Sequence, residues 1–211
     1  MPRVALSHDE IASMRESICD AAMELVRDHG PEAVSFRRIA AKLGSSHTTP
    51  YRYFASKDDI IVALRARAFR AFGATLAQAI RNADAPAAQR LRSLVAAYVG
   101  AAVADPDAYR LMLDLNQGNA NGESELLAAK QAALDTCREV VAAAVVAGEL
   151  PRGTDPNLVA HVFWSGAHGL VSLALAQQLV LGCSLDPLVD VMAETLVRGV
   201  LASRAQPTKG R

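Results

Sequence analysis

Apolar positions recur along the chain at steps of three and four residues, the repeat of a helix with one buried face. The first run holds Ile11, Met14, Ile18, Ala21, Ala22 and Leu25. Ser7-His8-Asp9-Glu10 leads into it as a capping box, and Gly30-Pro31 ends it. A short second helix covers Phe36 to Leu43, with Ser35 as N-cap and Gly44 as its stop. A third starts at Ser45 or Ser46 and continues through Phe54. A fourth begins at Ser56-Lys57-Asp58-Asp59 and runs to about Asn82 through Ile60, Leu64, Phe69, Phe72 and Leu76. Breaks at Ala85-Pro86, Asp105-Pro106, Asn116 to Gly122, Gly148 to Pro151 and Asp186-Pro187 divide the rest into five more helices. Of these, one covers about 123–147, one runs from Asp155-Pro156 to about Leu181, and the last ends near Ser203. No useful length alternates with a strand period. The pattern predicts an all-α protein: a three-helix N-terminal domain over 8–56, a six-helix bundle over 57–204 and a tail over 205–211.

Composition agrees. Hydrophobic residues are 51% and charged residues 21%, a globular balance, while 5% aromatics and abundant alanine argue against a β-sandwich or barrel. The three cysteines, Cys19, Cys137 and Cys183, are odd in number and widely spaced. Neither a disulfide framework nor a metal site follows from them, and a reducing cytoplasm is expected. The N-terminus has no apolar core of signal-peptide length. Between Asp155 and Asp186 there is no charged residue, but His161, Ser165, His168, Gln177 and Gln178 interrupt the run. It is expected to be a helix covered by protein on nearly all sides rather than a membrane span.

Twenty-two Lys+Arg against 22 Asp+Glu give a net charge of zero, which excludes a protein that grips nucleic acid with its whole surface. Charge therefore has to be read locally. From Ala33 to Lys57 there is no acidic residue, while Arg37, Arg38, Lys42, Arg52 and Lys57 all fall inside. This window straddles two short helices joined by Leu43-Gly44-Ser45-Ser46, a turn that suits a helix-turn-helix. Ser45, Ser46, His47, Thr48 and Thr49 open the third helix with small hydrogen-bonding side chains that can reach base edges. Basic residues on a short helix also serve as an ordinary solvated face; the coincidence of turn, acid-free window and polar helix start favours nucleic acid.

The run Ser35-Phe36-Arg37-Arg38-Ile39-Ala40, then Leu43-Gly44-Ser45-Ser46, then Tyr51-Arg52-Tyr53-Phe54-Ala55-Ser56-Lys57-Asp58 resembles the DNA-binding signature of TetR-type transcriptional regulators. The resemblance covers about 18–64. It implies an all-α homodimer with an N-terminal helix-turn-helix and a C-terminal ligand domain. It further implies that Arg37, His47, Thr48 and Thr49 face base edges and that Ser46, Tyr51, Arg52, Tyr53 and Lys57 hold phosphates. Pro50 departs from the pattern, which usually has an aliphatic residue there. Since proline is tolerated only in a helix's first turn, the recognition helix is expected to start at Ser46 or later.

In the C-terminal part, Trp164 and His168 stand four apart on one helix face, and Trp164 to Gly169 resembles the Trp-x3-His-Gly signature of one TetR subclass. A core histidine beside a tryptophan is the plainer reading. Candidates for an apolar effector pocket are Phe72, Tyr98, Tyr109, Met112, Leu115, Trp164 and His168. By the resemblance the last two helices form the dimer, with Val171, Leu175, Leu179, Val189, Met192, Leu196 and Val200 as interface candidates. No nucleophile elbow, dinucleotide fingerprint, phosphate loop or zinc-protease motif occurs, so neither an enzyme nor a resident metal or cofactor is expected. The expected partners are double-stranded DNA with a palindromic operator, a small, partly apolar effector, and a second copy of the chain, with no membrane. Repression follows family habit. The rival is a helical ligand-binding or interaction module without specific DNA binding.

Overall fold

The computed structural model describes residues 7–113 and 123–202. Among these, all regular structure is helical. The α-helices are α1 (His8–His29), α2 (Phe36–Lys42), α3 (Lys57–Ala79), α4 (Ala87–Ala104), α5 (Pro106–Leu113), α6 (Glu123–Ala147), α7 (Pro156–Leu175) and α8 (Leu185–Ala202). Two 3-10 turns, Pro31–Ala33 and Pro50–Arg52, flank α2. The expected third α-helix is absent: Pro50–Arg52 takes its place, so eight α-helices stand where nine are predicted.

The described residues fall into two compact units. One takes those within Met1–Ala68 and Asp107–Leu127, the other those within Phe69–Pro106 and Ala128–Arg211. The division lies inside α3 rather than at 56–57. In the first unit α1 starts as its sequence dictates. Ser7 Oγ accepts from the Glu10 amide and Glu10 returns the bond to the Ser7 amide at 2.7 Å. These bonds hold the Glu10 carboxyl below its ordinary range. Ile18, Ala22, Ile39, Phe54, Ile60, Ile61, Leu64 and Leu111 make the core. Polar ties fasten the helices around it. On α3, Arg67 reaches Glu16 and Asp20 of α1, and Lys42 of α2 reaches Glu24 and Asp28 of α1. Arg65, buried on α3, donates to the Met112 carbonyl at the end of α5.

In the second unit α4, α7 and α8 pack together. Val95, Val140, Val141, Val171 and Val197 are fully buried there. α7 meets α8 at Gly166, where an added Cβ would lie 3.0 Å from Met192 Sδ and 3.2 Å from Leu196 Cδ1. α3 passes α6 at Gly73, where a Cβ would lie 3.4 Å from Ala133 Cα. Arg92 of α4 and Arg198 of α8 both hold Glu194.

Two expectations about α7 are corrected. The helix stops at Leu175, not near Leu181. The Gln177 amide bonds to Ala174 O and the Gln178 amide to Leu173 O, with Gln177 left-handed at φ 55°. That is a Schellman stop, built on a residue with a Cβ where glycine is the usual choice. The helix is also not enclosed. Only a third of its apolar window is buried, and Leu158, Val162 and Leu173 face solvent. By length and composition alone it could cross a membrane.

Because φ 55° is costly for any residue with a Cβ, Gln177→Gly is expected to stabilise the protein by about 0.5 kcal/mol. Gln177→Val is expected to destabilise it by at least as much. Opposite shifts in urea midpoint check this. The thiols give a second test. Burial pushes Cys19 up to about 11 and Cys137 up to about 12, whereas Cys183 is exposed. An aromatic disulfide reagent at neutral pH is expected to titrate Cys183 quickly and the other two only on unfolding. Fast reaction of three thiols in the native protein contradicts this core.

Candidate nucleic-acid interface

The turn after α2 is another Schellman stop, this time on glycine: the Gly44 amide bonds to Ala41 O, the Ser45 amide to Ala40 O, and Gly44 sits at φ 59°. The chain then enters the segment 46–54. Ser46 Oγ accepts from the Thr48 amide at 3.2 Å and lies 2.7 Å from Thr48 Oγ1. The next bonds are Thr49 to Ser46 O, Arg52 to Thr49 O and Tyr53 to Pro50 O, all of the i to i−3 kind. Pro50 explains this. An α-helix over 46–54 needs an amide at 50 to donate to Ser46 O, and proline has none. The recognition helix expected to start at Ser46 or later does not form: the segment is a chain of turns, with a 3-10 turn at Pro50–Arg52.

Packing fixes what hydrogen bonds do not. Pro50 and Phe54 are buried, and Tyr53 packs against the core. Tyr51 remains 58% exposed while its ring stacks on Phe36 of α2, centroids 3.9 Å apart. α3 then begins with a second reciprocal cap: the Asp59 amide donates to Ser56 Oγ and the Ser56 amide to Asp59 Oδ2.

The predicted DNA-contacting residues lie along this surface. Arg37, Ser46, His47, Thr48, Tyr51 and Arg52 are exposed, Thr49 and Lys57 half-buried, and Tyr53 turned inward. The acid-free stretch of sequence is only partly acid-free in space. Lys42 bonds Glu24 and lies 3.7 Å from Asp28, which raises its pKa; Lys57 reaches Glu32 at 3.3 Å. Arg37, Arg38 and Arg52 make no ion pair among the described residues. The face is thus three arginines around small hydroxyls, a histidine and an exposed tyrosine. It can hold phosphates and present donors and acceptors to base edges. Sequence reading missed Phe36 as the ring under Tyr51, since fifteen residues separate them and no local period links them.

The expected effector residues are only partly brought together. In the second unit Trp164 donates its indole N–H to Tyr98 Oη at 3.1 Å, and Tyr98 meets Phe72 edge-on at 4.9 Å. His168 is half-buried, its pKa lowered by burial, with Nε2 3.4 Å from Ser172 Oγ. Tyr109 and Met112 are buried in the first unit instead, and Leu115 lies outside the described residues. A groove of about 470 Å³ between α4 and α8, with Ala96, Val99, Val103, Leu185 and Val189 along it, contains none of these candidates. Of the interface candidates, Val171, Val189 and Val200 are buried within the unit. Leu175, Leu179, Met192 and Leu196 are half-buried. On α7 and α8 the exposed large apolar side chains include Leu158, Val162, Leu173 and Val191, which the sequence reading passed over although 158 and 162 stand one helical turn apart.

Removing the Tyr51 ring tests the packing without DNA. Tyr51→Phe is expected to leave stability unchanged, and Tyr51→Ala to cost about 1 kcal/mol. A double-mutant cycle with Phe36→Ala should show a coupling of about 0.5–1.5 kcal/mol.

Two family profiles match the chain: "Bacterial regulatory proteins, tetR family" over 18–64 and "Tetracyclin repressor-like, C-terminal domain" over 91–198. The HTH-type transcriptional regulator Rv0472c of Mycobacterium tuberculosis, described as uncharacterized, is 30% identical over 106 residues, which is 50% of this chain and 45% of that protein. The chain spans about half the length of the curated relatives it matches. Among solved structures, a protein of unknown function from Rhodococcus sp. RHA1 superposes with a TM-score of 0.79 at 27% identity, covering 95% of this chain and 99% of that one. FadR from Bacillus subtilis, in complex with stearoyl-CoA, has a TM-score of 0.71 at 21% identity, covering 88% and 98%.

Proposed function

The chain belongs to the TetR family of bacterial regulatory proteins, and we propose that it is a cytoplasmic, homodimeric, DNA-binding transcriptional repressor released from its operator by a small, partly apolar molecule. The observation that carries the reading is the group of exposed side chains Ser46, His47, Thr48, Tyr51 and Arg52 beside Arg37 and Arg38, on a protein whose net charge is zero. Arg37, His47, Thr48 and Thr49 read base edges; Ser46, Tyr51, Arg52 and Lys57 hold phosphates. Ser46 contributes through its backbone as much as its hydroxyl, which already accepts from Thr48. Tyr53, turned inward, supports the segment rather than contacting phosphate.

A second copy covers the exposed apolar face of α7 and α8, with Leu158, Val162, Leu173 and Val191 added to Leu175, Leu179, Met192 and Leu196. Two-fold symmetry then sets the recognition segments one DNA turn apart, roughly 34–36 Å, or a multiple of it, on a palindromic operator. The effector binds in the second unit beside Trp164, Tyr98, Phe72 and His168, in the manner of the Trp-x3-His-Gly subclass. The FadR neighbour was solved with stearoyl-CoA, so long-chain acyl-CoA belongs in the effector screen. α3 has residues in both units, and its tilt carries the signal by differential affinity of the two states, a coupling of about 1–3 kcal/mol.

Genomic DNA selection with the purified protein tests the reading. A palindromic site bound well above random DNA, with a steep salt slope, is the expected result. Arg37→Ala should then cost about 1–3 kcal/mol on the selected duplex and relax one base position. Weak, sequence-blind binding that vanishes at modest salt would leave the helical ligand-binding module as the better description.

A further inference from the structure

The segment 46–54 packs on the core of its unit but has few hydrogen bonds to it. Its backbone bonds run within it, from Thr49 to Ser46, Arg52 to Thr49, and Tyr53 and Phe54 to Pro50. Among the described residues, the one hydrogen bond from its backbone to another helix comes from Arg15 of α1, whose Nη1 donates to the Tyr53 carbonyl at 2.5 Å. The same guanidinium lies over the Phe54 ring, 4.0 Å from its centroid. Phe54 is only 3% exposed. One planar cation therefore caps the C-terminal end of the turn segment and clamps the aromatic that anchors it.

Arg15 lies on α1, before residue 18 where the family profile begins. Its charge has a task apart from phosphate. The Tyr53 amide closes the 3-10 turn on Pro50 O, which leaves the Tyr53 carbonyl at the negative end of that turn's aligned peptides, where a cation is favoured. Arginine suits the position because its flat fork can donate sideways to a carbonyl while its face rests on a ring. Lysine can supply the charge and a donor but not the flat stack.

We propose that Arg15 is a positioning residue for DNA recognition. It holds the segment 46–54 at its distance from α1 through the Tyr53 carbonyl and the Phe54 ring, and it does not itself touch DNA. This rests on the DNA-binding reading above, so the test has one arm that needs no DNA. In that arm, hydrogen exchange of the free protein is followed by mass spectrometry. Arg15→Met is expected to speed exchange over 46–54 about tenfold while leaving α2 unchanged, and Arg15→Lys to recover part of the protection. In the second arm, binding is measured on the duplex selected by the wild type and on a random duplex of equal length, across a salt series. Arg15→Met should weaken the selected duplex about tenfold, leave the random duplex and the salt slope as they are, and so lower the specificity ratio.

Unchanged exchange over 46–54 overturns the proposal whatever DNA does. Equal weakening on both duplexes, with a salt slope shallower by about 1, overturns it in favour of a phosphate contact. If the wild type selects no sequence, the DNA-binding reading fails and the recognition role with it, even where exchange shows the tether. Should Arg15→Met not fold, Arg15→Gln, which keeps a neutral donor, carries the same comparison.

Discussion

Proline has no amide hydrogen, and at position 50 that one missing donor decides the form of the segment 46–54. Without it the i to i−4 bond from position 50 to Ser46 O cannot form, the Thr49 amide takes that carbonyl by an i to i−3 bond, and a 3-10 turn replaces an α-helix. A helix carries its own order through cooperative hydrogen bonds. A string of turns has to borrow order from its surroundings. Hence Pro50 and Phe54 are buried, Tyr51 lies flat on Phe36, and Ser46 caps its own turn. The exposed side chains between these anchors are therefore presented by packing against α1 and α2 more than by local helix geometry.

The same economy appears in the charges. Of the five basic residues in the acid-free window, the two lysines turn back to acids of α1 and of the turn before α2, while the three arginines are exposed and pair with no acid among the described residues. Exposed lysine pairs contribute little stability each, about 0–1 kcal/mol, and weaken with salt. Their effect is to tie α2 to α1 through Lys42, and α3 to the turn before α2 through Lys57. Arginine is the better residue to leave outward, because its fork matches phosphate and guanine edges in two-point geometry and lysine's point charge does not. A count along the sequence overstates the positive face, and the ion pairs show by how much.

What was legible in the sequence was local. Ser7 with Glu10, Ser56 with Asp59, Asp155 before Pro156, and Gly44 and Gly148 past their helices all act where their spacing puts them, because a cap needs only the nearest turn. The end of α7 was not legible, since its stop stands on Gln177, a residue with no preference for φ 55°. Nor was the failure of the third helix, although Pro50 signals it: a proline one turn into a helix is allowed, and only the segment's neighbours decide whether the helix continues past it. Inward and outward faces of α7 were likewise unresolved, because both are apolar. Val159, Phe163 and Leu170 face the core while Leu158, Val162 and Leu173 do not, and composition cannot separate the two sets. The effector candidates divided between the units for the same reason. Tyr109 and Met112 read as pocket residues beside Tyr98, yet they stand on α5, whose Leu111 packs into the core of the first unit.

The solvent-facing stripe on α7 is unfavourable in water, at roughly 25 cal/mol for each Å² of apolar surface left uncovered. Lipid and protein are the two media that could cover it, and the helices packed on α7 discriminate between them. Its opposite side rests on α4 and α8, and those helices carry Arg92, Glu194 and Arg198, joined in a partly exposed ionic cluster. A bilayer surrounding α7 would have to admit these charges at the depth of the helix, a cost of several kcal/mol even for a paired group. On its outer face the polar atoms are already satisfied locally: Ser165 donates to His161 O and His161 Nδ1 lies 2.8 Å from Asn157 O. The charged neighbours are what sets this stripe apart from the interior of a membrane, and they leave the second copy proposed above as its cover.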